Sequence, residues 1–163
     1  TVITFDGTIV EGDFAPTSEV DLHLGVYQAS PATAVVHAHS TFATMLGLVV
    51  DALPIVHYQQ LVLGGPTRVA PFAVFGTPQL AANVHAALEG RKAALMANHG
   101  AIAWGTSMKE AVDNYDLLEW ACELYARART LGGKEPRVLT PEEQMAVIEH
   151  ATRTAYGSTR RNS

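Results

Sequence analysis

The chain has 163 residues, of which 48% are hydrophobic and 17% charged, and its formal net charge is -5 at pH 7. We expect one domain over residues 1–163, because this length and hydrophobic content suffice for one sizeable core. The negative net charge does not provide the positive electrostatic potential that nucleic-acid-binding proteins need, so we expect no nucleic-acid partner. Cys122 is the single cysteine, which excludes an intrachain disulfide framework, and no apolar stretch or signal region predicts membrane association, so we expect a cytoplasmic protein.

The first thirty residues predict a hairpin followed by a helix. Residues 2–10 alternate around an Asp-Gly pair, which favours the turn of an antiparallel hairpin. Thr17 or Ser18 can then cap a helix that runs to about residue 30. This assignment places Glu19 in the first helical turn, where a negative charge is favourable.

The rest of the chain continues the mixture of strands and helices. Residues 55–63 remain ambiguous between strand and helix because their apolar residues fall at mixed spacing. The alternation as a whole indicates a layered α/β domain. The other predicted elements are a strand over residues 34–38, a helix over 41–49 capped by Ser40 or Thr41, a break at 51–54, an extended segment over 69–75, a helix over 78–88, strands over 93–97 and 101–104, a long helix over 108–130 and a final helix over 141–155.

Two histidine motifs carry the strongest chemical signal. His37 and His39 end the predicted strand 34–38, and side chains two residues apart in a strand project from the same face. His99 follows another buried apolar run, so the three imidazoles can meet one ion, and catalytic zinc commonly takes three protein ligands. The alternative is an ordinary His-x-His strand pair, since seven histidines give chance pairs. The apolar runs before both motifs favour a metal site at strand ends.

These motifs carry a resemblance to a known family. At Pro16-Thr17-Ser18-Glu19, His37-Ala38-His39 and Asn98-His99-Gly100 the sequence resembles the class II aldolase family typified by L-fuculose-1-phosphate aldolase. Matching pieces in the same order extend to about residue 157: Glu19-x3-His23-x3-Tyr27-Gln28, Ile55-Val56-His57-Tyr58, Gly64-Gly65, Ala70-Pro71-Phe72, Phe75-Gly76-Thr77 and Ala155-Tyr156-Gly157.

The resemblance implies both a fold and a reaction. The fold is a three-layer α-β-α domain with a central mixed, largely antiparallel sheet flanked by helices. The reaction is the cleavage of a ketose 1-phosphate, a sugar phosphate, to dihydroxyacetone phosphate and an aldehyde through a metal-stabilised enediolate. A divalent cation suits this chemistry because it stabilises the negative charge left when a carbon-carbon bond beside a carbonyl breaks.

The resemblance also implies the metal ligands and the acid/base. His37, His39 and His99 match the three zinc ligands, although Mn²⁺ or Co²⁺ remains an alternative to Zn²⁺. Glu19 matches the catalytic glutamate, which moves a proton at the carbon beside the carbonyl and approaches the metal when substrate is absent. On the sequence alone, Glu19 is equally well explained as a helix-start charge.

Five further positions match residues around the family's substrate. Tyr58 matches a proton donor to the aldehyde oxygen, and Phe75 matches an aromatic at the aldehyde end; both come from a neighbouring subunit. The family precedent is therefore a homotetramer with active sites at subunit interfaces. Tyr156 matches a tyrosine on a C-terminal tail that closes over substrate, and Thr17 and Ser18 match hydroxyls that hold the phosphate. Without the resemblance, packing explains the aromatic residues and helix capping explains the hydroxyls.

The remaining histidines lack ligand spacing to the strand pair. We interpret them as packing or surface residues, with a reservation for one that adjoins Tyr58. They are His23, His57, His85 and His150.

The sequence departs from the family pattern at its start. Family members carry a helix and a glycine-asparagine-serine segment, which supplies most of the phosphate site, upstream of the position that matches Thr1. We expect such a segment to have preceded this chain; the alternative is a protein that does not grip phosphate in the family's manner.

Other functions on the same fold remain open. They are a sugar-phosphate dehydratase, a decarboxylase, a 4-epimerase and a non-catalytic adducin-like scaffold. Glu19 speaks against the epimerases, which resemble this pattern with aspartate there. A scaffold should have lost its ligands, so the three histidines together with Glu19 favour catalysis.

Overall fold

The computed structural model describes residues 1–154, so Tyr156 lies outside the described residues. The strands are β1 (Val2–Ile3), β2 (Ile9–Glu11), β3 (Ala34–Ala38), β4 (Ala52–Leu53), β5 (Thr67–Ala70), β6 (Ala93–Met96) and β7 (Gly100–Gly105). The helices are α1 (Val20–Ala29), α2 (Thr41–Leu46), α3 (Pro78–Leu88), α4 (Met108–Thr130) and α5 (Pro141–Thr154), and a 3₁₀ helix over Tyr58–Leu63 precedes β5.

Five of these strands form one sheet in the order β3-β7-β6-β5-β4. β5 and β6 run parallel, whereas the other neighbours in the sheet run antiparallel. β1 and β2 form the predicted hairpin apart from this sheet. The predicted central mixed, largely antiparallel sheet is therefore confirmed.

Alternation along the strands divides the core into two halves. Ala94 and Met96 of β6 pack with α1 and α3 on one face, and Ala93 and Leu95 pack with α2 and α4 on the other. Each of these four side chains is 1% exposed or less. A strand buried on both faces lacks polar positions along its length, so the polar chemistry of the fold lies at the strand ends.

Local signals predicted α3 and α4 well. α3 begins at Pro78 after Thr77, whose hydroxyl accepts a hydrogen bond from the Leu80 N–H, and α4 begins after Ser107 in the same way. Both helices have the predicted bounds. Cys122 of α4 is fully buried, and burial raises the pKa of its thiol.

The predicted start of α1 was wrong. The helix begins at Val20, and neither Thr17 nor Ser18 caps it with its side chain. Residues 17–19 instead form a turn, closed by a 3.2 Å hydrogen bond from the Val20 N–H to the Thr17 carbonyl. Glu19 therefore precedes the first helical turn, and its side chain is free to leave the helix surface.

Two further predicted boundaries also differ from the structure. The helix predicted over 41–49 ends at Leu46, where Gly47 follows as its C-cap. The break predicted at 51–54 contains the short strand β4, which forms because it pairs with β5. The ambiguous segment 55–63 contains the 3₁₀ helix, capped at its start by the His57 side chain.

Within residues 1–154, no helix has the length and apolar character needed to span a membrane.

Candidate metal centre

The pairing of β3 with β7 brings the two histidine motifs together. Ala38 lies opposite Ala101, so the end of β3 meets the start of β7 directly after His99. Gly100 makes this approach possible, because a Cβ there would lie 2.4 Å from the Ala38 carbonyl oxygen. Asn98 adopts the left-handed conformation, with φ of 57°, a region that asparagine tolerates better than most residues. Asn98-His99-Gly100 thus makes the turn that places the third imidazole.

Glu19 and the three predicted histidines form one cluster. Potential ligand atoms of Glu19, His37, His39 and His99 all lie within 4.8 Å of one another. The ring centroids of the histidine pairs are 4.8 to 5.1 Å apart. The side chains of His37, Glu19 and His99 are 9%, 11% and 13% exposed, so these three are largely shielded from water. His39 is the exposed member of the cluster.

A backbone hydrogen bond orients the His37 ring. His37 Nδ1 lies 2.8 Å from the Ala101 carbonyl oxygen, which can only accept, so Nδ1 carries the proton. In the neutral ring, Nε2 then presents a lone pair to the cluster. This arrangement, with one nitrogen on a backbone carbonyl and the other free to ligate, is the usual one for metal-binding histidines.

Two buried atoms of the cluster lack a hydrogen-bond partner. Glu19 Oε2 lies 3.1 Å from His37 Nε2, and Glu19 Oε1 lies 3.3 Å from His99 Nε2. Despite these short distances, His37 Nε2 and Glu19 Oε1 are buried without a hydrogen-bond partner. Unpartnered buried acceptors are costly, and a bound cation would satisfy them together. The donor set of three imidazoles and one carboxylate therefore fits a divalent metal.

Burial keeps the imidazole at His99 in its neutral form. Burial lowers the pKa of His99, and the neighbouring His37 and His39 lower it further, although the Glu19 carboxylate opposes the shift. Neutral imidazole is the form that binds metal. His23 lies behind the cluster, with its ring centroid 6.4 Å from that of His37, and burial lowers its pKa as well.

The cluster opens into a cleft of about 480 Å³. One side of the cleft carries Glu19, His39 and His99, and the other side is an apolar segment over residues 72–75. Phe72 and Phe75 are both exposed. The lining residues are Ser18, Glu19, His39, Phe72, Ala73, Val74, Phe75, Asn98 and His99. The sequence did not predict that Ala73 and Val74 line the site. The only signal for them was their position between the matching motifs that end at Phe72 and begin at Phe75.

The structure does not bring all predicted site residues to this cleft. Ser18 and Phe75 line it, and Gly76 fixes their neighbourhood, because a Cβ there would lie 2.7 Å from the Ser18 carbonyl oxygen. Thr17 lines a separate cavity beside the β1-β2 hairpin, and its hydroxyl accepts a hydrogen bond from the Glu19 N–H. Tyr58 lies against α5 in another cavity of the same chain.

The chain is similar to known proteins in both sequence and structure. Residues 1–126 match the family model described as the class II aldolase and adducin N-terminal domain. A solved structure of an L-fuculose 1-phosphate aldolase superposes with a TM-score of 0.84 at 38% identity, covering 91% of this chain and 69% of that one.

Relatives with different reactions match comparable stretches. A 5-deoxy-D-ribulose 1-phosphate aldolase from Bacillus thuringiensis serovar kurstaki is 35% identical over 88% of this chain and 67% of its own length. A 3-oxo-tetronate 4-phosphate decarboxylase from Haemophilus influenzae is 34% identical over 87% of this chain and 69% of its length. The chain spans about two thirds of the length of the relatives it matches.

Metal analysis of a histidine variant tests the cluster. We expect the purified chain to retain one divalent ion and the His39→Ala variant to lose it while keeping its fold, because His39 is the most exposed of the clustered ligands. Elemental analysis after dialysis measures the ion, and circular dichroism measures the fold. His150→Ala is the control, since His150 is exposed on α5 away from the cluster. Equal metal content in both variants would contradict the assignment.

Proposed function

This chain belongs to the class II aldolase and adducin family, and from that premise we propose that it is a metal-dependent aldolase that cleaves a ketose 1-phosphate. The products are dihydroxyacetone phosphate and an aldehyde. The observation that carries the proposal is the cluster of Glu19 with the three histidines, which opens onto a cleft and in which Glu19 Oε1 and His37 Nε2 are buried without a hydrogen-bond partner.

His37, His39 and His99 are the residues that would hold the metal, and Zn²⁺ is the first candidate, with Mn²⁺ or Co²⁺ as alternatives. When bound there, a divalent cation supplies Lewis-acid stabilisation of the negative charge that develops beside the substrate carbonyl. The chain's part is to direct the rings toward the ion. The carbonyl of Ala101 orients His37, and burial lowers the pKa of His99, which favours its neutral, metal-binding form.

Glu19 is proposed as the proton carrier at the carbon beside the carbonyl. Cleavage leaves the electron pair of the broken bond on that carbon, which must then receive a proton. Glu19 is the only carboxylate among the described residues that line the cleft, and its side chain leaves the backbone before α1 begins. A positioned carboxylate of this kind contributes general acid/base catalysis.

As the carbon-carbon bond breaks, the hydroxyl beyond it gives its proton to a base, and in the reverse direction the same group donates that proton to the aldehyde oxygen. We assign this group to Tyr58 of a neighbouring subunit, whose phenolate would accept the proton and whose phenol would donate it, since within one chain Tyr58 lines a different cavity from the cluster. Tyr58 is exposed on the surface of its own chain, as a residue acting across an interface must be before assembly. The assignment requires an oligomer, proposed here as a homotetramer.

Four other residues are proposed to contact the substrate. Ser18 lines the cleft beside Glu19 and would hold the phosphate. Thr17 is proposed to share this role, although in the single chain it lines the cavity beside the hairpin. Phe75 forms part of the apolar wall, which suits the aldehyde end of the substrate better than its charged end. Tyr156 lies outside the described residues, and its proposed role is closure over the bound substrate.

A decarboxylase is the second candidate. Loss of CO₂ from a sugar acid beside a carbonyl also leaves an electron pair on that carbon, so the same metal and the same acid would serve. The similarity to a 3-oxo-tetronate 4-phosphate decarboxylase favours this candidate over the dehydratase, epimerase and scaffold alternatives. The same chemical step, with a different leaving fragment, would then explain the relatives of both kinds.

A product screen distinguishes the two reactions. The metal-loaded chain is incubated with ketose 1-phosphates, with the matching free sugars, and with a phosphorylated 3-oxo sugar acid, and the products are identified by mass. We expect dihydroxyacetone phosphate and an aldehyde from the ketose 1-phosphates and no cleavage of the free sugars. Release of CO₂ from the sugar acid alone would replace the aldolase proposal with the decarboxylase.

The Glu19→Gln variant tests the proton carrier. It retains the shape of the side chain but cannot carry the proton, so we expect turnover to fall by about 100-fold or more while metal is retained. Turnover and metal content are measured on the same preparation. The control is Glu89→Gln, since Glu89 lines a different cavity from the cluster. An unchanged rate in Glu19→Gln would reduce Glu19 to a structural role.

Subunit mixing tests whether Tyr58 acts across an interface. Tyr58→Phe and Glu19→Gln should each be nearly inactive, because each removes a proton-transfer group. When the two chains are expressed together, some assembled sites would combine an intact Glu19 with an intact Tyr58 from a neighbour, so activity should return. Activity that stays at the level of the separate variants would place Tyr58 in the site of its own chain or outside the reaction.

A further inference from the structure

His39 differs from the other ligands in how it is held. It is the exposed member of the cluster. Its ring lies against the other two imidazoles, but it makes no hydrogen bond with any of residues 1–154. His37, by contrast, is oriented by the Ala101 carbonyl. The position of the His39 ring must therefore come largely from the backbone on either side of it, at Ala38 and Ser40.

A carboxylate on α4 holds that backbone through hydrogen bonds. Glu119 accepts hydrogen bonds from the Phe42 N–H at 2.8 Å, the Ala43 N–H at 2.8 Å and the Ser40 hydroxyl at 2.7 Å. The two N–H groups belong to the first turn of α2, which has no intrahelical acceptors for them. A side chain of α4 thus supplies the N-terminal cap that Ser40 itself does not provide.

Tyr115 ties the other side of His39 to the same helix. Its hydroxyl donates to the Ala38 carbonyl at 2.8 Å and lies 2.9 Å from the Ser40 hydroxyl. Burial raises the pKa of Tyr115, which keeps the hydroxyl protonated as a donor. Tyr115 and Glu119 lie one turn apart on α4, so both hydrogen-bond to the short backbone segment that carries His39.

We propose that Glu119 and Tyr115 are positioning residues for the metal ligand His39. The inference rests on the proposed metal centre. Neither side chain belongs to the cluster itself, so both act through the backbone of residues 38–43. A helix cap alone would stabilise the fold without affecting the metal. A positioning role predicts that metal affinity and ligand geometry change as well.

Isosteric variants on α4 test this proposal. Glu119→Gln keeps the size of the side chain but turns an amide NH₂ toward donors, so it cannot accept all three hydrogen bonds. We expect its metal affinity to fall by about 10- to 100-fold, the usual scale for lost partners of metal ligands. Affinity is measured by competition with a chelator. The visible spectrum of the Co²⁺-loaded protein, which reports ligand geometry, should shift in parallel.

A neighbouring carboxylate serves as the matched control. Glu123→Gln removes the same charge one turn further along α4, where Glu123 pairs with Arg127 at 2.7 Å on the surface, and should leave affinity and spectrum unchanged. If Glu119→Gln does not fold, Tyr115→Phe decides the question by the same two measurements. In that variant the link to Ala38 is lost while the ring remains in the core.

The outcomes separate this inference from the proposed function. A folded Glu119→Gln or Tyr115→Phe variant that binds Co²⁺ as tightly as the original chain, with the same spectrum, overturns the positioning role and leaves the metal centre intact. An original chain that binds no divalent ion removes the metal centre itself, and the positioning role with it.

Discussion

The antiparallel pairing of β3 with β7 is the constraint on which the candidate site depends. Its register sets Ala38 opposite Ala101, which places the Ala101 carbonyl within reach of the His37 ring. A slip of one residue would turn every side chain of β3 to the other face of the sheet, and His37 would leave the cluster. Gly100 protects this register, because no other residue fits so close to the Ala38 carbonyl oxygen.

The cluster conflicts with the rules that govern the rest of the core. Elsewhere in the sheet, apolar side chains pack in alternation on two faces, whereas here buried acceptors of Glu19 and His37 face one another without partners. Folding alone gives no reason for this arrangement, since unpartnered buried polar atoms are unfavourable. Violations of local rules tend to mark functional sites, and a donor set of three imidazoles and one carboxylate fits a divalent cation.

The sequence was informative wherever the cause of a feature was local. The shared face of His37 and His39 follows from the two-residue period of a strand, and the bounds of α3 and α4 follow from adjacent capping residues. The fold and the reaction class came from the resemblance, which rests on ordered motifs spread along the chain. Spacing and capping signals could therefore predict the strand that carries two of the clustered histidines and the bounds of two of the helices.

Features set by distant contacts could not be predicted in the same way. The start of α1 depends on a turn at residues 17–19 that packs against Gly76, and the N-terminal turn of α2 depends on Glu119 from α4. No sequence signal at Gly76 indicates its contact with the turn at residues 17–19, and none at Glu119 indicates its hydrogen bonds to α2. The same reason explains why Glu119 was missed, since a glutamate on the surface pattern of a long helix is usually a solvated charge.

The two layers of the fold contribute different things to the site. Glu19 and His37 face the layer of α1 and α3, whereas the backbone around His39 is held by side chains from α4 in the other layer. The ligands are therefore fixed between two packed cores, while the apolar wall at residues 72–75 is largely exposed and only its Ala73 packs against the core of α1 and α3. Substitutions in that wall would change its shape without moving the ligands. The matched relatives include an aldolase and a decarboxylase, and a wall distinct from the ligand cluster is where differences in substrate would arise without a change in the proposed metal site.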